Sequence, residues 1–280
     1  MTYLQALILA VIQGITEPFP VSSLGHAVLV PGLLHWSFDK NSDFFLPFLT
    51  MLHVGTLIAL AGVFWKDWMG ILRGLLGYSG KTGRQKAIKI CAALIIATLP
   101  AVAIGGLFEH KLRILFATPI MVALFLTLNG ILLIATEQLR NRTKERGDQE
   151  LNKITFKDAF IIGVWQCLAL LPGFSRSGAT MNGGLLRGLT HLNSARFSLL
   201  LAQPIILAAT AKELWEMRHV SLTSTIIYQS LLGAVAAGVT ALICSKLLLH
   251  FFHKKDHQAL TPFGIYCLCV GIGSALFLSF

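Results

Sequence analysis

Five stretches of this chain run about the thickness of a bilayer without one Asp, Glu, Lys or Arg: Phe44–Trp65, Ile90–Phe108, Ile114–Thr136, Leu222–Ser245 and Leu260–Phe280. A helix needs about 20 apolar residues to cross the hydrocarbon core, so each is read as a span. A sixth, Phe197–Ala211, is short. Arg196 can snorkel at one end, and Leu214–Trp215 lengthens it beyond Lys212 at the other. Composition agrees, with 55% hydrophobic and only 13% charged residues and a mean hydropathy of +0.70, against about 25% charged in soluble domains. The solvent is therefore mostly lipid, which excludes a soluble fold, disorder, a coiled coil or a disulfide scaffold. Cys91, Cys167, Cys244, Cys267 and Cys269 lie in apolar stretches and read as small packing residues.

The net charge of +10 would suggest nucleic-acid binding in a soluble protein. Here the basic residues flank spans instead, and no nucleic-acid partner is expected. Residues 66–89 and 137–158 hold six Lys/Arg each and 246–257 hold three, against two each in 109–113 and 212–221. The positive-inside rule puts the first three segments in the cytoplasm. No Lys or Arg precedes Lys40, so no cleaved signal peptide is expected.

Two other apolar regions are broken. Tyr3–Trp36 is interrupted by Glu17-Pro18-Phe19-Pro20 and Ser22-Ser23, and Ala159–Leu189 by Pro172-Gly173 and Ser175-Arg176-Ser177-Gly178. Such breaks free backbone groups that lipid cannot satisfy, so they must line a polar cavity. Each region is read as a re-entrant helix hairpin, the first entering from outside and the second from the cytoplasm, with both termini outside. The expectation is an all-α integral membrane protein of six transmembrane helices plus two re-entrant hairpins, arranged as 3+3 inverted-topology repeats. Residues 1–136 form the first repeat (hairpin 3–36), 137–158 a cytoplasmic linker and 159–280 the second repeat (hairpin 159–189). A shift of 153 residues sets Gln13 on Gln166, Ser22 on Ser175 and Gly25 on Gly178.

Glu17 and Arg176 are an acid and a base deep in the two breaks, where an ionisable group is costly and marks function. A structural ion pair joining the hairpins is the plainer reading. Gln13 and Glu17 share a helical face at i,i+4 and can hold one ligand together. Ser22 or Ser23 can cap the helix after the prolines. Ser23 and His26, at i,i+3, bring a hydroxyl beside an imidazole, as an activated nucleophile requires. A capping serine near a hydrogen-bonded histidine has the same pattern. Two helix N-termini meeting from opposite leaflets, with Arg176 between them, would attract phosphate. Ser22, Ser175, Ser177 and Thr180 are candidate phosphate donors or caps. His53 borders the pocket or packs between helices, and Arg187 is read as snorkelling.

The strings Gln13–His26 and Pro172–Thr180, with Gly55-Thr56-Leu57 and Phe64-Trp65, resemble the undecaprenyl pyrophosphate phosphatases of the bacitracin-resistance type. The resemblance implies an inner-membrane enzyme with interlocked inverted repeats. Such an enzyme removes the terminal phosphate of the C55 carrier diphosphate on the outer face, recycles the carrier for peptidoglycan synthesis and confers bacitracin tolerance. It places the acidic motif on Gln13 and Glu17, the serine/histidine motif on Ser22, Ser23 and His26, and the arginine on Arg176. Gln13 stands where Glu is also found, and Leu24 replaces a hydroxyl residue near the phosphate.

The mechanism expected is attack by Ser23 on the terminal phosphorus with His26 as base and Arg176 as anion clamp. Its variant has His26 as nucleophile and Ser23 as ligand. Glu17 with the Gln13 amide oxygen is expected to hold a divalent cation, Mg²⁺ or Ca²⁺. The partners are a polyprenyl diphosphate substrate and membrane lipid, and a homodimer is compatible with the sequence. The rival is a transporter of the carrier phosphate, which needs charge but no nucleophile. A type-2 phosphatidic acid phosphatase fails for want of an Arg-Pro pair.

Overall fold

The computed structural model describes residues 1–36, 45–116, 118–142, 151, 154–216, 218 and 223–279. Among them are eleven α-helices and no strand: α1 (Tyr3–Thr16), α2 (Ser23–Leu33), α3 (Phe45–Val63), α4 (Trp65–Leu75), α5 (Gly80–Phe116), α6 (Pro119–Arg142), α7 (Phe156–Gln166), α8 (Arg176–Leu186), α9 (His191–Glu216), α10 (Ser224–Lys254) and α11 (Thr261–Ser279). Six are long and apolar enough to cross a membrane: α3, α5 as far as Phe108, α6 as far as Arg140, α9, α10 and α11. They coincide with the six stretches read from hydropathy. The short sixth stretch is resolved by a helix that continues to His191 and Glu216. The expected span ends Phe44, Leu222 and Phe280 lie outside the described residues, as do 143–150, 152 and 153 of the expected linker.

Residues 66–89, read as a loop, are largely helical. Phe64, at φ −99° and ψ 18°, bends the chain out of α3 and into α4, whose Asp67 and Arg73 suit its two ends. Gly74 lets α4 lie against Ala87 of α5.

The pairs α1/α2 and α7/α8 are too short to span, at 14, 11, 11 and 11 residues. Their local chemistry recurs at the offset of 153. Thr2 forms a capping box with Gln5 and Thr155 forms one with Asp158. Ser22 caps α2 by accepting from the Gly25 amide at 3.2 Å, and Ser175 caps α8 by accepting from Gly178 at 3.1 Å. Ser23 and Leu33 at the ends of α2 map onto Arg176 and Leu186 of α8. The halves also interlock, because α1 lies along α10 and α7 along α5, while both α2 and α8 contact α6.

Small residues permit this. A methyl group on Gly55 of α3 would overlap the Ala234 carbonyl of α10, and one on Gly163 of α7 would come within 2.5 Å of the Ala97 carbonyl of α5. Lipid offers no hydrophobic drive between helices, so close backbone approach carries the packing.

At the end of α9 away from Glu216, a polar clasp holds three elements. His191 Nε2 lies 2.7 Å from Glu137 Oε1, which also accepts from the Leu260 amide at 2.6 Å. His191 Nδ1 lies 2.7 Å from Asp256 Oδ1, and Arg140 donates to Asp256 Oδ2 at 3.2 Å. Glu17 is therefore not alone among buried acids: Glu137 and Asp158 are buried too. Arg187 does not simply snorkel, since its Nε donates to Asp158 at 2.6 Å.

Gly55→Ala should cost about 1–3 kcal/mol of stability through overpacking. Gly62→Ala, with open space around it, should cost nothing; melting temperatures in detergent check both. Burial raises the Asp256 pKa, but the His191 amide and imidazole and Arg140 outweigh it and hold the carboxyl below its ordinary range. Its ionised form is favoured by folding, so its contribution is present above pH about 4 and lost as pH falls further. Asp256→Asn should thus lower the melting temperature at pH 7, with the gap to the parent closing in acid.

Candidate active site

The Glu17–Val21 stretch cannot continue α1, because Pro18 and Pro20 lack amide hydrogens. The last helical bond is from the Glu17 amide to Gln13 O at 2.9 Å. Ser22 then takes φ 69° and ψ 93°, a conformation that costs a non-glycine residue about 1–3 kcal/mol. That turn sends Ser23 back toward the end of α1, where its hydroxyl donates to Glu17 Oε2 at 2.6 Å. The same oxygen accepts from Gln13 Nε2 at 3.1 Å. Glu17 Oε1 accepts from Arg176 Nη2 at 2.9 Å. A buried carboxylate inside the bundle is thereby neutralised by the first residue of the opposite hairpin's α8.

The two breaks touch. Ser177 donates to Phe19 O at 2.8 Å, and Asn129 of α6 straps both hairpins, its Nδ2 donating to Pro20 O at 3.1 Å and its Oδ1 accepting from the Ser175 amide at 3.2 Å. Gly173, at φ +99°, lies so near the Val122 carbonyl of α6 that a Cβ would overlap it. The N-termini of α2 and α8 thus converge on a cavity of about 380 Å³. Glu17, Ser22, Ser23, His53, Ser175 and Arg176 supply polar groups to its wall, and Leu24, Leu46, Leu49 and Ile206 apolar surface. The cavity is flanked by the start of α3 and the second half of α9.

Most of the residues singled out from sequence meet here, though not all in the expected way. His26 does not face Ser23. Its Nδ1 lies 2.7 Å from Ser22 O and its Nε2 2.8 Å from the Tyr266 hydroxyl of α11, on whose ring it stacks. The two do share the first turn of α2, but their side chains are taken by different partners, Ser23 by Glu17 and His26 by the Ser22 carbonyl and Tyr266. His26 as base, and equally His26 as nucleophile, is corrected on that geometry, since both ring nitrogens are engaged away from the cavity. Gln13 points its amide nitrogen at Glu17, not the oxygen expected to bind a cation. Ser22, Ser175 and Ser177 line the cavity. Thr180 is not among the lining residues; its hydroxyl sits against Arg176 O at 2.9 Å and Ser198 Oγ at 2.7 Å. His53 does border the cavity, with Nε2 3.8 Å from Glu17 Oε2. Asn129 and Glu213, which also line or brace the site, were not singled out. An amide in the middle of the Ile114–Thr136 stretch was the available signal for Asn129, whereas nothing local marks Tyr266.

Chemically, the site holds a hydroxyl on a carboxylate, with a guanidinium fork and helix N-termini beside it. These are the parts for transferring a phosphoryl group to an oxygen nucleophile. Fold and site together define a multi-span helical membrane protein with a carboxylate, a hydroxyl and a guanidinium joined inside its bundle. Residues 6–273 match the family model of Bacitracin resistance protein BacA, and the chain belongs to that family. It is 62% identical over 272 residues to the "Undecaprenyl-diphosphatase" of Gluconobacter oxydans, covering 97% of each chain. It is 52% identical to the namesake of Gluconacetobacter diazotrophicus, over 97% of this chain and 95% of that one. To that of Granulibacter bethesdensis it is 46% identical, over 100% and 98%.

Asn129→Leu would leave the Ser175 amide unpaired in the interior, at about 1–3 kcal/mol, and the Pro20 carbonyl with only the weak Cys267 thiol at 3.9 Å. The variant should melt well below the parent, and Asn129→Asp, which keeps only the acceptor, should fall between them.

Proposed function

We propose that this protein hydrolyses undecaprenyl diphosphate to undecaprenyl phosphate and inorganic phosphate, returning the carrier to peptidoglycan synthesis and conferring bacitracin resistance. The observation that carries the reading is the Ser23–Glu17–Arg176 chain, with links of 2.6 Å and 2.9 Å. Arg176 exchanges Glu17 for the terminal phosphate, whose oxygens it binds as a fork. Relieved of that charge, Glu17 becomes the stronger base and takes the Ser23 proton. Ser23 Oγ attacks the terminal phosphorus in line, and undecaprenyl phosphate departs as the P–O bond breaks. Amides at the starts of α2 and α8, with the Ser175 and Ser177 hydroxyls, face the transferred group. Apolar walls at Leu24, Leu46, Leu49 and Ile206 suit the first isoprene units. His26 serves as a positioning residue that fixes the Ser22 carbonyl, and so the turn that aims Ser23.

The residues present do not fit a metal held by the protein. Among the described residues no three His, Cys, Asp or Glu side chains stand together to bind one, and both Glu17 oxygens are engaged by Arg176, Ser23 and Gln13. Mg²⁺ or Ca²⁺ enters the proposal only as the diphosphate's own counter-ion.

The protein is placed in the bacterial cytoplasmic membrane as two inverted repeats, each led by a re-entrant hairpin, with termini and cavity mouth outside. Support comes from the matched caps at Thr2/Thr155 and Ser22/Ser175, the interlocked helices and the basic segments at the far ends of α3 and α9. One chain supplies the whole cavity, so the reaction calls for no second copy. Carrier transport has no support: the relatives named above are diphosphatases, and a transporter needs no hydroxyl hydrogen-bonded to a carboxylate.

Phosphate release in detergent, where no compartments exist, tests the reading. Ser23→Ala and Glu17→Gln should each lower kcat at least about a thousandfold in folded protein. Arg176→Ala should lower kcat and raise KM together, and His26→Ala should lower kcat by roughly a hundredfold. Full activity in Ser23→Ala, or phosphate release that requires a sealed vesicle, would contradict it.

A further inference from the structure

Resting on the Ser23 phosphoenzyme proposed above, we infer that His53 holds the water that hydrolyses that phosphoenzyme and takes its proton. Once Glu17 has accepted the Ser23 proton, it must return it to Oγ when the Ser23–phosphorus bond breaks. It cannot at the same moment take a proton from water, so the second step needs another base. Arg176 has no lone pair to offer. His26 is buried, with Ser22 O on one ring nitrogen and Tyr266 on the other. Glu213 lines the cavity, but from Ser198, whose carbonyl takes Arg176 Nη1 at 3.4 Å, α9 advances about 20 Å to reach it.

His53 meets the requirement. Its Nδ1 lies 2.9 Å from Leu49 O. A carbonyl only accepts, so Nδ1 carries a hydrogen, which leaves Nε2 as the nitrogen that can take a proton. That nitrogen is on the cavity wall, 3.8 Å from Glu17 Oε2, the oxygen that receives the Ser23 hydroxyl. At 3.8 Å the two atoms are too far apart for a direct hydrogen bond and can share one water between them. The backbone carbonyl of Leu49 orients the base, as a buried partner orients the imidazole of a hydrolase. In the step itself, the water oxygen bonds to phosphorus as the Oγ–P bond breaks, and its electron pair returns to Oγ with the proton held by Glu17. The water proton passes to His53 Nε2 and from there to solvent, and inorganic phosphate leaves.

The test uses the full chain in detergent with a prenyl diphosphate labelled in its terminal phosphate, quenched in acid, for the parent, Ser23→Ala, His53→Leu and His53→Gln. His53→Leu should lose about a hundredfold in kcat with KM within about twofold, and should accumulate label on Ser23, which also shows that its site is folded. His53→Gln keeps an acceptor able to orient water and should recover to within about tenfold of the parent. Parental turnover in His53→Leu, with Ser23 still labelled, would overturn the role of His53 alone. Loss of turnover in both His53 variants without accumulated label would overturn it as well. A parent that never labels Ser23, together with an active Ser23→Ala, would remove the phosphoenzyme and this inference with it.

Discussion

An acid and a base sit inside a bundle that faces lipid, and each would be prohibitive there alone. Glu17 ends a helix of the first hairpin and Arg176 starts a helix of the second, and they meet at 2.9 Å. Insertion of either charge costs at least about 2.5 kcal/mol at membrane depth, and an unpartnered buried charge costs about 3–5 kcal/mol. The breaks at Pro18–Pro20 and Pro172–Gly173 must therefore come together. Asn129, Ser175 and Ser177 then satisfy the backbone groups that the breaks expose.

A buried ion pair is a weak device for stability, since apolar residues of similar volume often do as well. In the proposed mechanism its value is exchange. Glu17 holds Arg176 and the Ser23 hydroxyl together, and in that mechanism the substrate phosphate competes for the same guanidinium. The carboxylate that gives up its cation is the one hydrogen-bonded to the nucleophile, so phosphate binding and activation of Ser23 are a single event in the proposed mechanism. The contact between the two breaks sets both halves of this exchange side by side, and the backbone groups they free are satisfied within the bundle.

Much of this was legible in the sequence, where local chemistry decides it. Uncharged stretches gave the six spans, because length and hydropathy alone set them. Pro-rich and Gly-rich interruptions followed by serine located both breaks and both caps, and two charges at depth marked the site, with their pairing only the plainer of its two readings. Directions of side chains were not legible. The i,i+3 rule brings Ser23 and His26 onto one turn of α2, but the φ of 69° at Ser22 aims that turn at Glu17, which takes the Ser23 hydroxyl. Tyr266 captures His26 from a helix 240 residues away, which no spacing can anticipate. Asn129 bridges the two hairpins from a third element, and α4 packs closely on α5 where Gly74 meets Ala87. Such facts belong to packing rather than to pattern.

In the proposed mechanism the two breaks act on one diphosphate as a unit. A double-mutant cycle on kcat/KM, with Glu17→Gln, Arg176→Gln and the pair combined, measures this most directly. Residues that act as one unit are strongly non-additive, so the double variant should be little worse than the poorer single variant, with a coupling of about 2–3 kcal/mol. Losses that simply add would mean that Glu17 and Arg176 work independently, and would contradict the account.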